Sequence, residues 1–489
     1  MMTQVSIGQM TFSVPHVKKA FLVALAMVAT WLICIQQGTG YSSAGIMSAM
    51  LFMTERHSGA QLTRFMFRTI ATLLGGSVTF MVAQYHLSDT LVFSAIAASA
   101  VVAFTLFASF HRMINPNIAY IFSIAGLTVC FTAFPTTYNP SIETLNDVVI
   151  ARVVGMLVAI VVCSVISSAF YSPKTDAQVQ GELKQYKKGV MQQIRTPLIS
   201  GSESDALERL KNSGESLLRQ YTEVMVLNIF NFKSQDRVTS HELRHSLLLL
   251  NQLSQLNQVA TRELSEEQRL ELNKLFATED IGCLDLQNRV SQYCDMSDEI
   301  LDKLSEFIVS RQMIISGDIP SSTTVIYKAN WRIAWRNTTC CTLGLSLVLA
   351  FWYVSGWDKG ANSMMIAGTL YVMFASLPIP PKMGALIFLV GHLICATFSY
   401  IILFVVMPSV THPSVLFITI GVFLWVFAYK HITSPMPMAV IYMFVIMFWP
   451  AYLDLANIPL FDEVSFINGA IANLLAGVFV RFSYLLVDI

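Results

Sequence analysis

The feature that most constrains this chain is the series of apolar runs at both of its ends. Runs long enough to cross about 30 Å of hydrocarbon as a helix recur on either side of a polar middle segment. They lie near 17–36, 65–84, 91–110, 117–134 and 149–171, then near 337–354, 384–407, 414–428, 436–452 and 464–487, with shorter runs at 42–53 and 362–377. Each end of the chain therefore has six candidate membrane spans, and their order repeats.

Charge is segregated along the chain in the same way. Of the 62 charged side chains (31 basic and 31 acidic), 39 lie within 172–320 and 23 in the other 340 residues. The hydrophobic content is 54% and the charged content 13%, against roughly 45–50% and 25% in soluble domains. A single soluble enzyme, a collagen-like chain, a coiled coil and a disordered chain are excluded.

These observations predict an all-α, polytopic membrane protein with two repeated blocks. We expect an N-terminal transmembrane block of about six helices over 1–171, a cytoplasmic helical domain over 172–325 and a C-terminal block of about six helices over 326–489. Lys and Arg collect in alternate connections, which the positive-inside rule assigns to the cytoplasm together with both termini and the middle segment. The cationic connections carry Lys18, Lys19, Arg56, Arg64, Arg68, Arg112, Lys174, Lys328, Arg332, Arg336, Lys382 and Lys430.

The second segment of each block, 42–53 and 362–377, is short and rich in Ser, Ala, Gly and Met. Paired short segments at matching positions point to a transport site in repeat-built transporters, and small residues also allow helices to pack closely. Both interpretations stay open. If the segments line a transport path, its candidate residues are Ser43, Ser48, Asn362 and Ser363.

The middle segment predicts a small bundle of amphipathic helices. Within 249–260, apolar residues recur at helical spacing between Asn and Gln, which predicts one buried stripe: Leu249, Leu253, Leu256 and Ala260. The run His241-Glu242-Leu243-Arg244-His245 matches H-E-x-x-H, a zinc-protease pattern. An amphipathic helix without an evident cleft favours a solvated role for it. Neither a metal site nor a cofactor is predicted, no P-loop lysine is present, and the chain is not predicted to be an enzyme.

Ionisable residues inside the apolar blocks are functional candidates because charge is costly in hydrocarbon. Arg152 and Arg481 are such intramembrane charges, and a snorkelling or topological role is the alternative for the arginines. His392 lies well inside its span. A neutral, packed imidazole and a proton relay both fit it, since only imidazole titrates near neutral pH unperturbed. Arginines facing a cavity would bind an anion, and their fork geometry suits a carboxylate.

The sequence resembles the fusaric acid resistance (FUSC) family, and among it the aromatic carboxylic acid efflux (AaeB-like) inner-membrane transporters. The resemblance covers both membrane blocks and rests on the order of several short elements rather than on any one of them. These are Thr54-Glu55-Arg56-His57-Ser58-Gly59-Ala60 followed by Arg64, Arg68, Thr72 and Gly75; Phe170-Tyr171-Ser172-Pro173-Lys174; Arg336-Asn337-Thr338; Ser355-Gly356-Trp357; Ser363-Met364-Met365; and Leu377-Pro378-Ile379-Pro380.

The resemblance implies a proton-driven inner-membrane exporter of small aromatic or other organic carboxylic acids, working with a periplasmic adaptor and an outer-membrane channel. From the residues themselves we expect Arg64, Arg68 and Arg336 to attract the substrate carboxylate. Glu55, with His392 second, would carry or modulate the coupling proton. An organic-anion channel and a membrane scaffold acting through 172–325 are the alternative functions, and a homo-oligomer is left open. No nucleic-acid partner is predicted.

Overall fold

The structure, a computed structural model, describes residues 4–7, 10–36, 42–54, 58–170, 176–195, 197–198, 207–215, 217, 234–277, 298–316, 331–376, 379–410, 412–453 and 461–487. The chain divides into two compact units, Met1–Tyr171 with Lys328–Ile489, and Ser172–Tyr327. Both apolar blocks belong to the first unit. The predicted all-α membrane fold is confirmed, and the described residues add only a short hairpin, β1 (Gln4–Ile7) and β2 (Met10–Ser13), which we did not predict.

Six helices form the first block of the membrane unit. They are α1 (Val14–Gln36), α2 (Ser42–Thr54), α3 (Ser58–His86), α4 (Thr90–Ile114), α5 (Pro116–Thr136) and α6 (Ile142–Phe170). Local chemistry sets several boundaries. The Asp89 carboxylate caps α4 by accepting from the backbone N–H groups of Leu91 and Val92, each at 3.1 Å. Asn115 caps α5, whose first residue is Pro116, a position where a missing N–H costs nothing.

Six more helices form the second block. They follow the inserted unit in the chain, whose helices are described below, and are therefore numbered from α11. They are α11 (Trp331–Ser355), α12 (Gly360–Ser376), α13 (Pro381–Tyr400), α14 (Pro413–Thr433), α15 (Met438–Leu453) and α16 (Glu463–Val487). A π-helical turn over Ile401–Val406 extends α13 towards Ser409. Among the described residues, nine helices are long and apolar enough to cross a membrane; α2, α12 and α15 are shorter.

The two blocks pack against each other through equivalent helix pairs. The first helix of each block packs on the fourth of the other, so α1 meets α14 and α11 meets α4. The second helix packs on the fifth of the other block, so α2 meets α15 and α12 meets α5. Within each block, the third helix packs on the fifth and the second on the sixth. This reciprocity is what a parallel duplication of one six-helix unit produces.

The inserted unit contains α7 (Asp176–Arg195), α8 (Ser234–Glu263), α9 (Glu266–Ala277) and α10 (Asp298–Ser316), with a further helical stretch over 207–215. The predicted stripe of α8 is confirmed, because Leu249, Leu253, Leu256 and Ala260 are all fully buried. They share one core with Phe276 and Phe307 of α9 and α10. The sequence pattern was sufficient here because one face of an amphipathic helix must leave water.

Candidate functional site

Arg68 of α3 is a buried cation in the interior of the first block. Its side chain is 6% exposed, and Nη1 has no hydrogen-bond partner among the described residues. The guanidinium carbon lies 5.8 Å from the centroid of the Phe52 ring of α2. A guanidinium over an aromatic face gains some cation–π stabilisation, which does not replace the hydrogen bonds that water would supply. Arg68 is therefore a donor with unused capacity in an apolar setting.

Arg152 of α6 is the second cation of this region. It lies near the middle of the candidate span Ile142–Ser167, with its guanidinium carbon 4.8 Å from the centroid of the Phe131 ring of α5. The charges of Arg152 and Arg68 act on each other. The Thr72 hydroxyl of α3 lies 4.0 Å from the Met156 sulfur of α6, so these two helices are in direct contact. We call Arg68, Arg152, Phe52 and Phe131 the arginine site.

The arginine site has a charge and a donor set that suit an anion. Within the described residues, neither of its guanidinium groups is paired with a carboxylate. Each arginine at membrane depth costs about 2.5–3.5 kcal/mol on insertion scales, and two that interact repel each other as well. A bound carboxylate would relieve the repulsion and accept hydrogen bonds from both forks. The two aromatic rings provide apolar surface beside it.

In the described part of the second block, the place equivalent to Arg68 holds a glycine. Gly75 of α3 and Gly391 of α13 hold equivalent places, because each packs on a backbone carbonyl of the fifth helix. A Cβ atom would lie 2.4 Å from the Ala125 carbonyl oxygen at Gly75, and 3.2 Å from that of Ile441 at Gly391. Arg68 lies seven residues before Gly75, and Gly384 lies seven residues before Gly391. A Cβ atom at Gly384 would lie 2.6 Å from the Phe374 ring. The phenyl ring thus lies against glycine where the first block has a guanidinium.

The other predicted anion-binding residues are placed less completely. Arg64 lies one turn before Arg68 on α3, but its side chain and the whole of Glu55 fall outside the described residues. Arg336 of α11 is half-buried, and its charge acts on Arg112 of α4.

The hydroxyl groups of the short second helices are occupied. Ser48 is 1% exposed and donates to the Ala44 carbonyl at 2.7 Å, and Ser363 is 2% exposed and donates to the Ala472 carbonyl at 2.7 Å. Ser43 belongs to α2, but its side chain lies outside the described part. These contacts fit close helix packing, the alternative that the sequence left open.

Asn362 joins the two blocks beyond the end of α5. Its Oδ1 accepts a hydrogen bond of 3.2 Å from the Tyr138 hydroxyl. A tyrosine hydroxyl is protonated at neutral pH, so Tyr138 is the donor in this hydrogen bond. A second polar link between the blocks is the 3.1 Å hydrogen bond from the Asn337 amide of α11 to the Ser109 hydroxyl of α4.

His392 is buried in the second block, at 1% exposure. Its Nδ1 lies 2.8 Å from the Tyr452 hydroxyl of α15, while Nε2 has no hydrogen-bond partner among the described residues. The imidazole is packed, as one alternative expected, yet it keeps one nitrogen unused, as a relay requires. Arg481 lies half-buried on α16 near its end.

The H-E-x-x-H run lies on α8. Glu242 forms an ion pair with Lys187 of α7, and His245 is buried, while the side chain of His241 lies outside the described residues. Within the described part of the chain, no group of three or more His, Cys, Asp or Glu side chains could hold a metal ion.

Sequence reasoning missed the neutral partners in both regions. Phe52, Phe131 and Tyr452 lie among many other aromatic and apolar residues, and no local pattern singles them out. Only the ionisable members carry a signal, because charge in an apolar run is rare.

Comparison with known proteins agrees with this architecture. The fusaric acid resistance protein family matches residues 26–213 and 190–488, across both blocks and part of the inserted unit. Over 452 residues the chain is 21% identical to "Uncharacterized transporter YdhK" of Escherichia coli strain K12, and equally to that of Escherichia coli O157:H7. Each match covers 85% of this chain and 65% of the relative, so the chain spans less than two thirds of the length of these curated relatives.

No solved structure matches the chain. The family match extends over nearly the whole sequence, and the order of short elements in both blocks and the twelve-helix membrane unit agree with it. The resemblance to the FUSC family inferred from the sequence is therefore confirmed, and the chain belongs to the fusaric acid resistance protein (FUSC) family.

Proposed function

We propose that this transporter exports small aromatic or other organic carboxylic acids across the inner membrane and that the proton gradient drives export. The observation that carries the substrate class is the arginine site. It offers the buried guanidinium of Arg68 beside the Phe52 ring and the half-buried guanidinium of Arg152 beside the Phe131 ring, and neither has a carboxylate partner among the described residues. A planar acid satisfies both features, since its carboxylate pairs with arginine forks and its ring contacts Phe52 and Phe131.

The route to the site begins, in this proposal, at the cytoplasmic ends of α3 and α11. Arg64 and Arg336 attract the anion there, and Arg68 receives it from Arg64, one helical turn away. Arg152 then holds it near the middle of the membrane. The candidate residues for the transport path remain Ser43, Ser48, Asn362 and Ser363. The side chains of Ser48, Asn362 and Ser363 already form hydrogen bonds within the protein, so in this proposal those bonds break and re-form during transport.

Proton coupling would follow from competition for the arginines. Glu55 precedes α3, and a carboxylate close to arginines stays ionised because their charge stabilises its anionic form. When the substrate anion occupies the guanidinium groups, Glu55 is released and binds a proton. Glu55→Gln should then lose dependence on the pH gradient and retain substrate binding. Unchanged gradient-driven export in Glu55→Gln would reject this mechanism.

Uptake into everted membrane vesicles tests the substrate class. Benzoate, salicylate, cinnamate and acetate would be supplied with and without an imposed proton gradient. We expect gradient-stimulated uptake of the aromatic acids, and a fall of about tenfold or more in Arg68→Gln and Arg152→Gln, from loss of a charge-assisted interaction of about 1.5–3 kcal/mol.

Arg332→Gln is the matched control, because Arg332 is an exposed arginine of α11. It should transport like the parent. Equal uptake by all three variants would contradict the arginine site. Uptake that follows membrane voltage and ignores the proton gradient would assign the anion-channel alternative.

Membrane orientation and partners belong to the same proposal. We place both termini and the inserted unit in the cytoplasm, on the distribution of Lys and Arg. Cysteine labelling from outside intact cells tests it: a cysteine at Tyr138 should react, and one at Lys187 should not. A periplasmic adaptor and an outer-membrane channel would appear as a requirement for co-expressed partners in cells but not in vesicles.

A further inference from the structure

The second block contains a chain of three buried polar side chains from three helices. His392 comes from α13, Tyr452 from α15 and Asn473 from α16, and their exposures are 1%, 7% and 7%. Tyr452 stands in the middle, 2.8 Å from Nδ1 of His392 and in contact with the Asn473 amide. At the two ends of the chain, His392 Nε2 and Asn473 Oδ1 have no hydrogen-bond partner among the described residues.

The hydrogen bond between His392 and Tyr452 is compatible with both neutral tautomers of the imidazole. The Tyr452 hydroxyl is both donor and acceptor. It can donate to Nδ1 of one neutral tautomer, or accept from Nδ1–H and, after a shift of the Asn473 side chain, donate to the amide oxygen of Asn473. In the second arrangement Nε2 holds a bare lone pair, and a proton that binds there forms an imidazolium without breaking a hydrogen bond. Release from Nε2 reverses the step.

The surroundings of His392 are aromatic rather than charged. The Phe388 and Phe448 ring centroids lie 4.1 and 4.7 Å from the imidazole centroid. The titratable groups that face it are Tyr452 from α15 and Cys395, which lies one turn further along α13, while α16 contributes the neutral Asn473. No charged side chain among the described residues acts on the imidazole. Burial opposes the imidazolium, and the phenyl faces partly offset this by cation–π attraction.

This cluster uses the same three helices that supply most of the arginine site in the first block. With Gly391 equivalent to Gly75, His392 takes the place of Gly76, eight residues along the third helix from the Arg68 position. The third, fifth and sixth helices carry Arg68, Phe131 and Arg152 in one block, and His392, Tyr452 and Asn473 in the other. The duplicated helices thus hold permanent cations in one block and, at a different level, a buried histidine in the other.

We infer that His392, Tyr452 and Asn473 form a proton-binding site, with His392 Nε2 as the atom that takes the proton and Tyr452 and Asn473 as positioning residues. Its use in export rests on the proposed function; its capacity to bind a proton does not. Proton binding at this cluster and anion binding at the arginine site would couple through the interface that joins the blocks.

Nitrogen NMR tests proton binding directly. The full-length protein, labelled with 15N at its nine histidines and reconstituted in lipid, would be titrated from pH 4 to 8. Among the imidazole signals that titrate, we expect one to be absent from the spectrum of His392→Gln and present in that of His431→Gln. Tyr452→Phe should move its midpoint and alter the Nδ1 signal, and Asn473→Leu should move the midpoint alone. A His392 signal that never titrates, or that ignores both substitutions, would overturn the inference.

Benzoate transport in vesicles tests the coupling role separately. For Tyr452→Phe, gradient-driven accumulation should fall about tenfold, the size of a coupling free energy near 1.4 kcal/mol. Its pH profile should shift, while benzoate exchange without a gradient stays unchanged. If Tyr452→Phe shows normal gradient-driven uptake and an unshifted pH profile, the inference of a proton site is contradicted, while the proposed function is not. If no acid is transported but the His392 signal titrates as expected, the proposed function fails and the proton site stands.

Discussion

Among the described residues, the buried Arg68 has no carboxylate partner, and this determines the expected effect of substituting it. Burying a guanidinium costs desolvation free energy, and Nη1 of Arg68 has no hydrogen bond within the described part of the chain to offset that cost. A flexible apolar side chain of similar length would fill the same space against Phe52 without that cost.

Arg68→Met should therefore separate stability from transport. We expect the free energy of unfolding to stay equal or rise by about 1 kcal/mol or more, while benzoate uptake falls to the background of vesicles without the transporter. Thermal unfolding in detergent and vesicle uptake measure the two. A lower unfolding midpoint together with lost uptake would mean that Arg68 serves the fold and not the substrate.

Tyr186 gives a second test at this scale, in the inserted unit. It is 3% exposed, shares a 3.0 Å hydrogen bond with the Ser246 hydroxyl, and burial raises its pKa from 10.0 to about 12. Because the folded pKa exceeds the unfolded one, the stabilisation is complete below pH 10 and is lost as pH rises through about 12.

Tyr186→Phe should remove this alkaline component. At pH 8 the variant loses about 1 kcal/mol with the hydrogen bond. Between pH 9 and 11.5 its unfolding midpoint should then fall less than that of the parent, as followed by circular dichroism of the full chain. If the unfolding midpoints of the parent and of Tyr186→Phe fall equally with pH, the Tyr186 hydroxyl does not contribute to the pH dependence of stability.

At the scale of helices, the contact between α3 and α5 depends on a single missing side chain. A Cβ atom at Gly75 would lie 2.4 Å from the Ala125 carbonyl oxygen, and backbone cannot move aside cheaply. At the neighbouring Gly76 the nearest atom, Val149 Cγ1, is 3.9 Å away. The two glycines form a matched pair in one helix.

Gly75→Ala should destabilise the transporter and Gly76→Ala should not. Forced separation of α3 from α5 is expected to cost about 1–3 kcal/mol, whereas Ala at Gly76 gains up to about 1 kcal/mol of helix propensity. Thermal unfolding of both variants measures the difference. Equal unfolding midpoints for the two variants would mean that α3 and α5 can move apart without loss of stability.

At the scale of the whole membrane unit, two six-helix blocks that rock against each other would explain transport through a site in one of them. The side chains of Ser109 and Asn337 cross the seam between the blocks at 3.1 Å, and those of Thr79 and Thr132 meet within the first block at 2.9 Å. Both pairs are buried.

Cross-linking at the seam should stop transport. A Ser109→Cys/Asn337→Cys variant, joined by a short thiol-reactive linker, is expected to lose benzoate uptake and recover it on reduction. Thr79→Cys/Thr132→Cys is the control, because its linker stays within one block and should leave most uptake. Full activity in the seam-linked variant would rule out movement of the blocks relative to each other at α4 and α11.

The amino-acid sequence by itself determined the class of this molecule, its repeated apolar segments and its polar insertion, because hydropathy acts on each segment separately. It also located the buried stripe that contains Leu249, because the spacing of apolar residues in an amphipathic helix identifies its buried face. The ionisable residues of the membrane blocks were evident from their rarity.

Only the tertiary structure decided which of those residues meet. The membrane helices are apolar on nearly every side, so their sequences do not say which face turns to protein and which to lipid. Arg68 and Arg152 come together from distant helices, and His392 meets Tyr452 60 residues further along the chain. Such pairings follow from close packing of whole helices, a property of the assembled unit that no single segment contains.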